Sequence, residues 1–236
     1  MTEVLRRCDA PFRQAFHEAG HGIARIALGM DPVDLVLRAA YSETTDGELV
    51  EVVDGYAGTW RHEGPKFSQT ELPPAVPPAP SKRALIDWRD LLPLAIYTAA
   101  GGAAERRVED AAGLEPLTTW TAARDNAELA DLARCVFNTS GRNEAAFLRL
   151  VSGAADRLMQ DCIIWRAIRA VSDQLGGGLL RALPHDPAPG DQAEFYLRAA
   201  DVLKLSEQAG LRPGAFAIEP HTQRRPVRLH TSRAAA

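Results

Sequence analysis

The chain has 236 residues, of which 46% are hydrophobic and 25% are charged, a composition typical of a globular protein with a substantial core. Its formal net charge of −4 gives no electrostatic reason to expect binding to nucleic acid or to an anionic membrane surface. The longest apolar stretch, Leu91 to Ala104, is shorter than the roughly 20 residues that a membrane-spanning helix needs. We therefore expect a soluble, cytoplasmic protein whose partners are neither nucleic acid nor membrane.

The first predicted helix extends from about Phe12 to Leu28 and carries the motif H-E-A-G-H at His17, Glu18 and His21. At about 100° per residue, the two histidines lie roughly 40° apart, and the glutamate lies roughly 60° beyond the second histidine. Two neutral imidazoles one turn apart can bind Zn²⁺, and the adjacent carboxylate can accept a proton from a water molecule that the metal activates. The motif therefore predicts a zinc site with Glu18 as its general base.

Chance does not readily explain this motif. Six histidines occur in the chain, and at this composition H-E-x-x-H arises by coincidence with a probability of roughly 0.01. The apolar side chains of the helix share a separate arc of about 100°; they are Phe12, Phe16, Ala19, Ile23, Ile26 and Ala27. The histidines are therefore not part of the apolar face, which favours a role as ligands.

Two β-branched and aliphatic runs follow, Val33–Arg38 and Glu48–Val53, and a polar turn containing Asp46-Gly47 joins them. This pattern predicts an antiparallel hairpin beside the helix of the motif. A strand edge at that place would matter, because extended peptides bind to proteins by adding a strand.

The segment from about Asp54 to Ser81 contains six prolines, which disfavour both a helix and a central strand. We interpret it as a Pro-rich insertion that forms a long surface loop. His62 and Glu63 lie within it, so either could approach the metal, although exposed loop residues are the simpler interpretation.

Helical patterns dominate the rest of the chain. The predicted helices are Arg83–Glu109, interrupted at Pro93, then Ala122–Phe137, Glu144–Leu175 and Gln192–Gln208. Three consecutive glycines, Gly176 to Gly178, are expected to end the third of these helices. After Leu211, arginines among prolines and small residues indicate a flexible, basic tail.

The expected fold class is thus mainly α (α+β), a helical domain with a small antiparallel sheet beside the HExxH helix. The expected organisation is one domain over residues 1–210, with the Pro-rich insertion at about 54–81, followed by the flexible tail at 211–236.

A catalytic zinc needs a third protein ligand and an open fourth position. The metzincin pattern would place a histidine six residues after His21 and a glycine three residues after it, but Ala27 and Ala24 occupy those positions. Spacing alone leaves several candidates open: Glu105, Glu109, Asp125 and His62.

Three further segments follow the motif: Asp31-Pro32-Val33, then Ala100-Gly101-Gly102-Ala103-Ala104-Glu105, then Thr121-Ala122-Ala123-Arg124-Asp125 with Leu132-Ala133-Arg134 beyond it. In order and approximate spacing, the four landmarks resemble the protease domain of the FtsH-type AAA+ zinc metalloproteases, which reads H-E-A-G-H, D-P-V, G-G-R-A-A-E, then T-G-A-S-N-D and L-A-R. They span about residues 12–136, and together they are much more specific than the five-residue motif alone.

The resemblance implies that His17, His21 and Asp125 are the zinc ligands and that Glu18 is the general base. It also implies that Glu105 orients a ligating imidazole, a role that metal sites generally require. The implied activity is zinc-dependent hydrolysis of peptides or unfolded protein.

The chain departs from the family pattern in several ways. Gly102, Arg106 and Arg124 stand where the family has Arg, Glu and Asn. No G-x-x-x-x-G-K-[ST] motif for nucleotide binding occurs in the 236 residues. We therefore expect ATP-independent cleavage of unstructured polypeptide, with a separate ATPase as a possible partner. The alternative is a catalytically weak or inactive zinc-binding module that recognises a protein partner, and His62 as a fourth ligand would favour it.

Overall fold

The structure is a computed structural model that describes residues 2–58, 88–114, 120–137 and 141–218. Within these residues the helices are α1 (Thr2–Ala27), α2 (Trp88–Ala112), α3 (Trp120–Phe137), α4 (Gly141–Gln160), α5 (Cys162–Ala182) and α6 (Ala199–Gln208). The strands β1 (Asp34–Glu43), β2 (Leu49–Gly58) and β3 (Gln192–Leu197) form an antiparallel sheet in the order β2-β1-β3. The predicted fold class, mainly α with a small antiparallel sheet, is confirmed. None of the described helices combines the length and apolar character needed to cross a membrane.

Helix α1 lies at the centre of the domain, where it packs against α2, α5 and the sheet. Over residues 13–28 every side chain except that of Arg25 is buried. The arc that carries the H-E-A-G-H motif is therefore covered as well as the apolar arc. Helix α2 covers it closely, because a Cβ added at Gly20 would lie 2.7 Å from the carbonyl oxygen of Ala100.

The predicted start of α1 is wrong. The helix begins at Thr2 and passes through Pro11, whose side chain is buried. Proline normally marks the first turn of a helix because it lacks an N–H donor. Here tertiary packing supports an interior proline: a Cβ added at Gly176 of α5 would lie 3.9 Å from the Pro11 carbonyl oxygen.

The predicted hairpin is confirmed, with β1 paired to β2 and Gly47 at φ 77° in the connecting turn. Strand β2 continues to Gly58, so the residues from Asp54 to Gly58 form a strand and are not part of an irregular insertion. The rest of that segment, including His62 and Glu63, lies outside the described residues.

The predicted helix over Gln192–Gln208 is also wrong in its first part. Residues 192–197 form β3, which pairs with β1 so that Leu197 lies opposite Leu35. This pairing joins segments far apart in sequence, and the packing of a strand against its neighbours outweighs weak local preference. Only α6, which starts at Ala199, keeps the predicted helical conformation.

The predicted helix over Glu144–Leu175 is divided at Asp161 into α4 and α5. The carboxylate of Asp161 accepts hydrogen bonds from the backbone N–H groups of Ile163 and Ile164, at 2.8 and 3.0 Å. These are two of the donors that the first turn of a helix leaves unsatisfied. Asp161 therefore starts a new helix.

The three consecutive glycines do not end a helix, because α5 continues through them to Ala182. A Cβ added at Gly178 would collide with the ring of Phe195 on β3. The glycine therefore allows close packing between α5 and the sheet, an arrangement that the sequence rule for helix ends does not consider.

The first residues of the predicted tail are attached to the domain. The N–H groups of Gly214 and Phe216 donate to the carbonyl oxygens of Ile26 and Ala27, at 2.8 and 2.7 Å, and Leu211 is buried. The carbonyl groups at the end of α1 lack the usual partners of a helix interior. That of Ile26 accepts from Gly29 as well as from Gly214, and that of Ala27 accepts from Phe216. The remainder of that segment, residues 219–236, lies outside the described residues.

Candidate metal centre

Three side chains from two helices meet beside β2. Helix α1 presents His17 and His21 one turn apart, and α3 brings Asp125 against them. The Oδ2 atom of Asp125 lies 3.0 Å from the Nε2 atom of each imidazole, and the two Nε2 atoms lie 3.1 Å apart. Of the carboxylates that spacing left open, Asp125 is the one brought to both histidines.

The other candidates for a third ligand are placed elsewhere. Glu109 forms a buried ion pair with Arg13, so its charge is already balanced. Glu105 contacts His17 at Nδ1, the nitrogen on the far side of the ring from Asp125. His62 lies outside the described residues. Glu105 thus contacts the candidate ligand His17, and its orienting role stays a prediction of the resemblance.

The partners of the Nδ1 atoms determine where each imidazole carries its hydrogen. His21 Nδ1 lies 2.9 Å from the backbone carbonyl oxygen of Tyr97, which can only accept a hydrogen bond. His17 Nδ1 lies 3.1 Å from Oε2 of Glu105, and an ionised carboxylate likewise only accepts. In its neutral form, each imidazole would therefore carry hydrogen on Nδ1 and direct its Nε2 lone pair toward Asp125, as histidine ligands do in metal sites.

Three lone pairs that face one another at about 3 Å repel unless a proton or a cation lies between them. The Oδ2 atom of Asp125 is buried and receives no hydrogen bond within the described residues. In a tetrahedral site with bonds of about 2.0–2.1 Å, neighbouring ligand atoms lie about 3.3 Å apart. The observed spacing of 3.0–3.1 Å needs only a small expansion to match. The three groups could therefore hold a metal ion.

The pKa values at the centre reflect the same need for positive charge. Burial lowers the pKa of His17, but Asp125 and Glu105 outweigh burial and raise it to about 10. Burial raises the pKa of Asp125, but the two imidazoles outweigh burial and lower it to about 2. Both shifts favour a positive charge shared among these groups, which a bound metal ion would supply.

Helix α2 has no side chain where it passes the imidazoles. A Cβ added at Gly101 would overlap the ring of His21 and lie 2.8 Å from Nε2 of His17. At the next position, Gly102, the nearest atom to an added Cβ would be Nη1 of Arg106 at 3.5 Å, an ordinary contact. The first glycine therefore provides space for the metal centre, and the second does not.

Glu18 is 2% exposed and contributes to the wall of the cavity beside the ligands. The side-chain amide of Gln14 donates a hydrogen bond to its Oε1 atom at 2.8 Å. Strand β2 passes directly over it, since a Cβ added at Gly55 would lie 2.6 Å from Cγ of Glu18. Burial raises the pKa of Glu18, and the imidazoles of His17 and His21 oppose that rise. A raised pKa brings a carboxyl group closer to the range in which general bases are most effective.

A cavity of about 270 Å³ opens beside the candidate ligands and Glu18. Helices α1, α2 and α3 and strand β2 form its walls, which also include Gly55, Tyr56, Ala57, Tyr97, Arg124 and Glu128. The side chain of Asp125 is 17% exposed although its Oδ2 atom is buried, so solvent reaches this carboxylate at the edge of the ligand set. The candidate base and ligands therefore share one accessible space.

Tyr97 is a residue of the centre that the sequence did not reveal. Its carbonyl oxygen accepts from His21, its ring centroid lies 5.2 Å from that imidazole, and its hydroxyl donates to the carbonyl oxygen of Ala57 at 3.1 Å. Burial raises the pKa of Tyr97 to about 12, so the hydroxyl stays protonated and able to donate. Any residue type can accept a hydrogen bond through its backbone carbonyl group, so this contact cannot be recognised from the sequence. The one feature that the sequence offered was a tyrosine one helical turn before Gly101.

No family model matches the chain, and the comparisons with curated proteins and with solved structures likewise found no match. The resemblance to the FtsH-type protease domain therefore depends on the four sequence landmarks, and function is argued from the geometry of the centre.

Proposed function

We propose that this domain is a zinc-dependent metallopeptidase that hydrolyses peptide bonds of unstructured polypeptide without using ATP. The observation that carries the proposal is the convergence of two Nε2 atoms and the Oδ2 atom of Asp125 at 3.0–3.1 Å, beside Glu18 and an accessible cavity. Two imidazoles and one carboxylate are ligands that catalytic zinc commonly takes, and three protein ligands leave a position for water or substrate.

Each group at the centre has a chemical role in this proposal. Zinc held by the three ligands supplies a Lewis acid that polarises a carbonyl group and makes water more acidic. Glu18 accepts a proton from the attacking water and delivers it to the leaving amine. Glu105 and the carbonyl group of Tyr97 hold the imidazoles at Nδ1, so that both Nε2 atoms stay aimed at the ligand site.

The position of strand β2 is an argument for a polypeptide as the substrate. It is an edge strand of the described sheet, and Gly55, Tyr56 and Ala57 line the cavity. Extended peptides bind at such edges by adding a strand, and a strand added here would pass over Glu18. The 236 residues carry no nucleotide-binding P-loop motif that could drive unfolding, so the bound segment of the substrate must already be unstructured.

A second candidate function is a catalytically weak or inactive zinc-binding module that recognises a protein partner. The observation in its favour is a group of exposed apolar side chains on the sheet, with Val52 at 53%, Tyr196 at 48% and Tyr56 at 43% exposure. Against it, structural zinc sites usually have four protein ligands. Among the described residues only three candidate ligands come together at this point. The buried Glu18 also has no role in a purely structural site, so we favour the peptidase.

The deciding experiment compares the wild type with Glu18→Gln on a library of unstructured fluorogenic peptides. The substitution keeps shape and polarity but removes the base, so hydrolysis should fall by about 10²- to 10⁴-fold while one zinc per chain is retained. Zinc content, measured by elemental analysis, is the matched control. If the zinc-loaded wild type and Glu18→Gln are equally inert on the whole library, the binding module becomes the better assignment.

A further inference from the structure

The hydrogen bonds of the sheet identify which backbone groups of β2 face its free edge. In an antiparallel ladder each residue directs its N–H and C=O to the same neighbour, and successive residues alternate. The N–H of Thr44 donates to the carbonyl oxygen of Glu48, so the even-numbered residues of the hairpin face each other. The backbone of Tyr41 instead bonds to Asp191 and Gly190, on the β3 side. The odd-numbered residues of β2 therefore face away from β1.

Two of these edge-facing groups near the cavity already have partners. The N–H of Gly55 donates to Oδ1 of Asp54 at 2.8 Å, and the carbonyl oxygen of Ala57 accepts from the hydroxyl of Tyr97 at 3.1 Å. Neither partner belongs to β1, which agrees with the alternation. The C=O of Gly55 and the N–H of Ala57 are left, and neither has a hydrogen-bond partner among the described residues.

We infer that β2 binds the substrate beside the metal centre through these two groups alone, and that Tyr97 is the specificity-determining residue that sets this limit. The inference rests on the proposed peptidase function. A substrate strand added to the edge of β2, parallel or antiparallel to it, forms hydrogen bonds with the C=O of one edge-facing residue and with the N–H of the residue two positions later in β2. The C=O of Gly55 and the N–H of Ala57 form such a pair around Tyr56.

Tyr97 restricts the next step of a longer added strand. That step would need the carbonyl oxygen of Ala57 as an acceptor, and the tyrosine hydroxyl already takes one of its two lone pairs, so an added strand must compete with Tyr97 for this atom. The tyrosine is held in place by other contacts, because its own carbonyl oxygen accepts from His21 and the guanidinium of Arg25 lies 5.1 Å from its ring centroid. Displacing the hydroxyl would leave a partly buried donor without a partner, which is unfavourable.

Asp54 restricts the opposite side, where it occupies the N–H of Gly55. The site therefore accepts a polypeptide that is extended over only a few residues, and a long β-strand gains little from its extra length. This class of substrate includes flexible loops and chain ends as well as unfolded chains.

The test uses the best-cleaved peptide of the library and a series of analogues in which one backbone N–H at a time is replaced by an ester oxygen. The replacement removes a donor with little change in shape, and it also weakens the carbonyl acceptor of the same linkage. Binding should therefore weaken most where the N–H is used, and less where only the carbonyl oxygen is used. Dissociation constants are measured by fluorescence anisotropy with zinc-loaded Glu18→Gln protein, in which the peptide stays intact.

With Tyr97 present, one N–H along the stretch that contacts β2 should be sensitive, with a two- to tenfold weaker affinity on loss of one hydrogen bond. Tyr97→Phe keeps the ring and frees the carbonyl oxygen of Ala57. A second sensitive N–H should then appear two residues from the first, and its direction reports the orientation of the substrate. Asp54→Ala is the matched comparison: it frees the N–H of Gly55, which pairs with the C=O of Val53 two residues earlier, so a second sensitive position should appear on the opposite side of the first.

Two results would overturn the inference: a pair of sensitive positions two residues apart while Tyr97 and Asp54 are both present, or no new position in Tyr97→Phe with its zinc retained. The first of these results is measured while Tyr97 is present, so it does not depend on the folding of any Tyr97 variant. Either result, with cleavage by the wild type intact, leaves the peptidase function standing. Absence of both cleavage and peptide binding refutes the peptidase function and this inference with it.

Discussion

Helices α1 and α2 hold two buried polar pairs one turn apart. Arg13 pairs with Glu109, and both side chains are at most 5% exposed. His17 pairs with Glu105 at 3.1 Å, and both side chains are at most 3% exposed. In the first pair two opposite charges meet. In the second pair the imidazole has another nitrogen, which faces the other candidate ligands.

The difference shows how one helix interface can hold either an ion pair or a metal site. A guanidinium group supplies only donors and is always charged, so a carboxylate balances it. A neutral imidazole has a donor at one nitrogen and a lone pair at the other, so a bond to a carboxylate still leaves a ligand atom. Substitutions in the first pair should therefore change folding stability, and substitutions at the second should change metal binding.

The largest effect is expected from removing a ligand. His17→Ala and Asp125→Ala should each weaken zinc binding by more than about 100-fold, because losing a residue that merely orients a ligand already costs roughly 10- to 100-fold. Competition with a chelator of known affinity measures the change. Glu128→Gln, which alters a half-exposed carboxylate one turn after Asp125, is the control and should bind zinc like the wild type. Tight binding by Asp125→Ala would assign the third ligand to another group.

The next largest effect is expected from breaking the neighbouring Arg13–Glu109 ion pair. Arg13→Ala removes the guanidinium group that balances the buried charge of Glu109, and the free energy of unfolding should fall by about 3–5 kcal/mol. Urea denaturation measures the loss, and the folded protein should still bind one zinc per chain.

A double substitution, Arg13→Met with Glu109→Leu, provides the matched comparison. Replacing a buried ion pair with apolar residues of similar volume is often neutral or stabilising, so most of the lost stability should return. Loss of zinc in this double variant would mean that the two pairs depend on each other.

The smallest effect concerns the residue that orients the first ligand. Glu105→Ala removes the acceptor for Nδ1 of His17, and zinc affinity should fall by about 10- to 100-fold. Glu105→Gln keeps an acceptor oxygen and should lose less. The same chelator titration gives both values, and a greater loss for Glu105→Ala than for Asp125→Ala would exchange their assigned roles.

The parts of the fold that sequence predicted well have local signals. The hairpin follows from two aliphatic runs and a turn glycine at positive φ, and the motif helix follows from its periodic apolar arc. The failures depend on distant contacts. Residues 192–197 become a strand because β1 offers a partner about 160 positions away, and the glycines of α5 stay helical because Phe195 packs against Gly178.

The residues of the candidate site also fall into those that a local sequence signal revealed and those that depend on distant contacts. His17, Glu18 and His21 were found directly because a helix fixes their spacing. Spacing could not select Asp125, since a third ligand comes from whichever element the fold brings near, and only the resemblance pointed to it. Tyr97 was missed because it acts through a carbonyl group and one hydroxyl, and its two partners lie on different elements.

Gly101 sets a limit on how such a domain can change over evolutionary time. Replacing glycine with alanine inside a helix gains about 1 kcal/mol of helix propensity, and at Gly102 nothing opposes that gain, because an added Cβ makes an ordinary contact. At Gly101 the same replacement would push both imidazoles aside. Selection for heat resistance alone would fill both positions and destroy the candidate metal centre while improving the helix. The residue at position 101 would then distinguish related chains that can still hold a metal ion there from those that keep H-E-A-G-H without one.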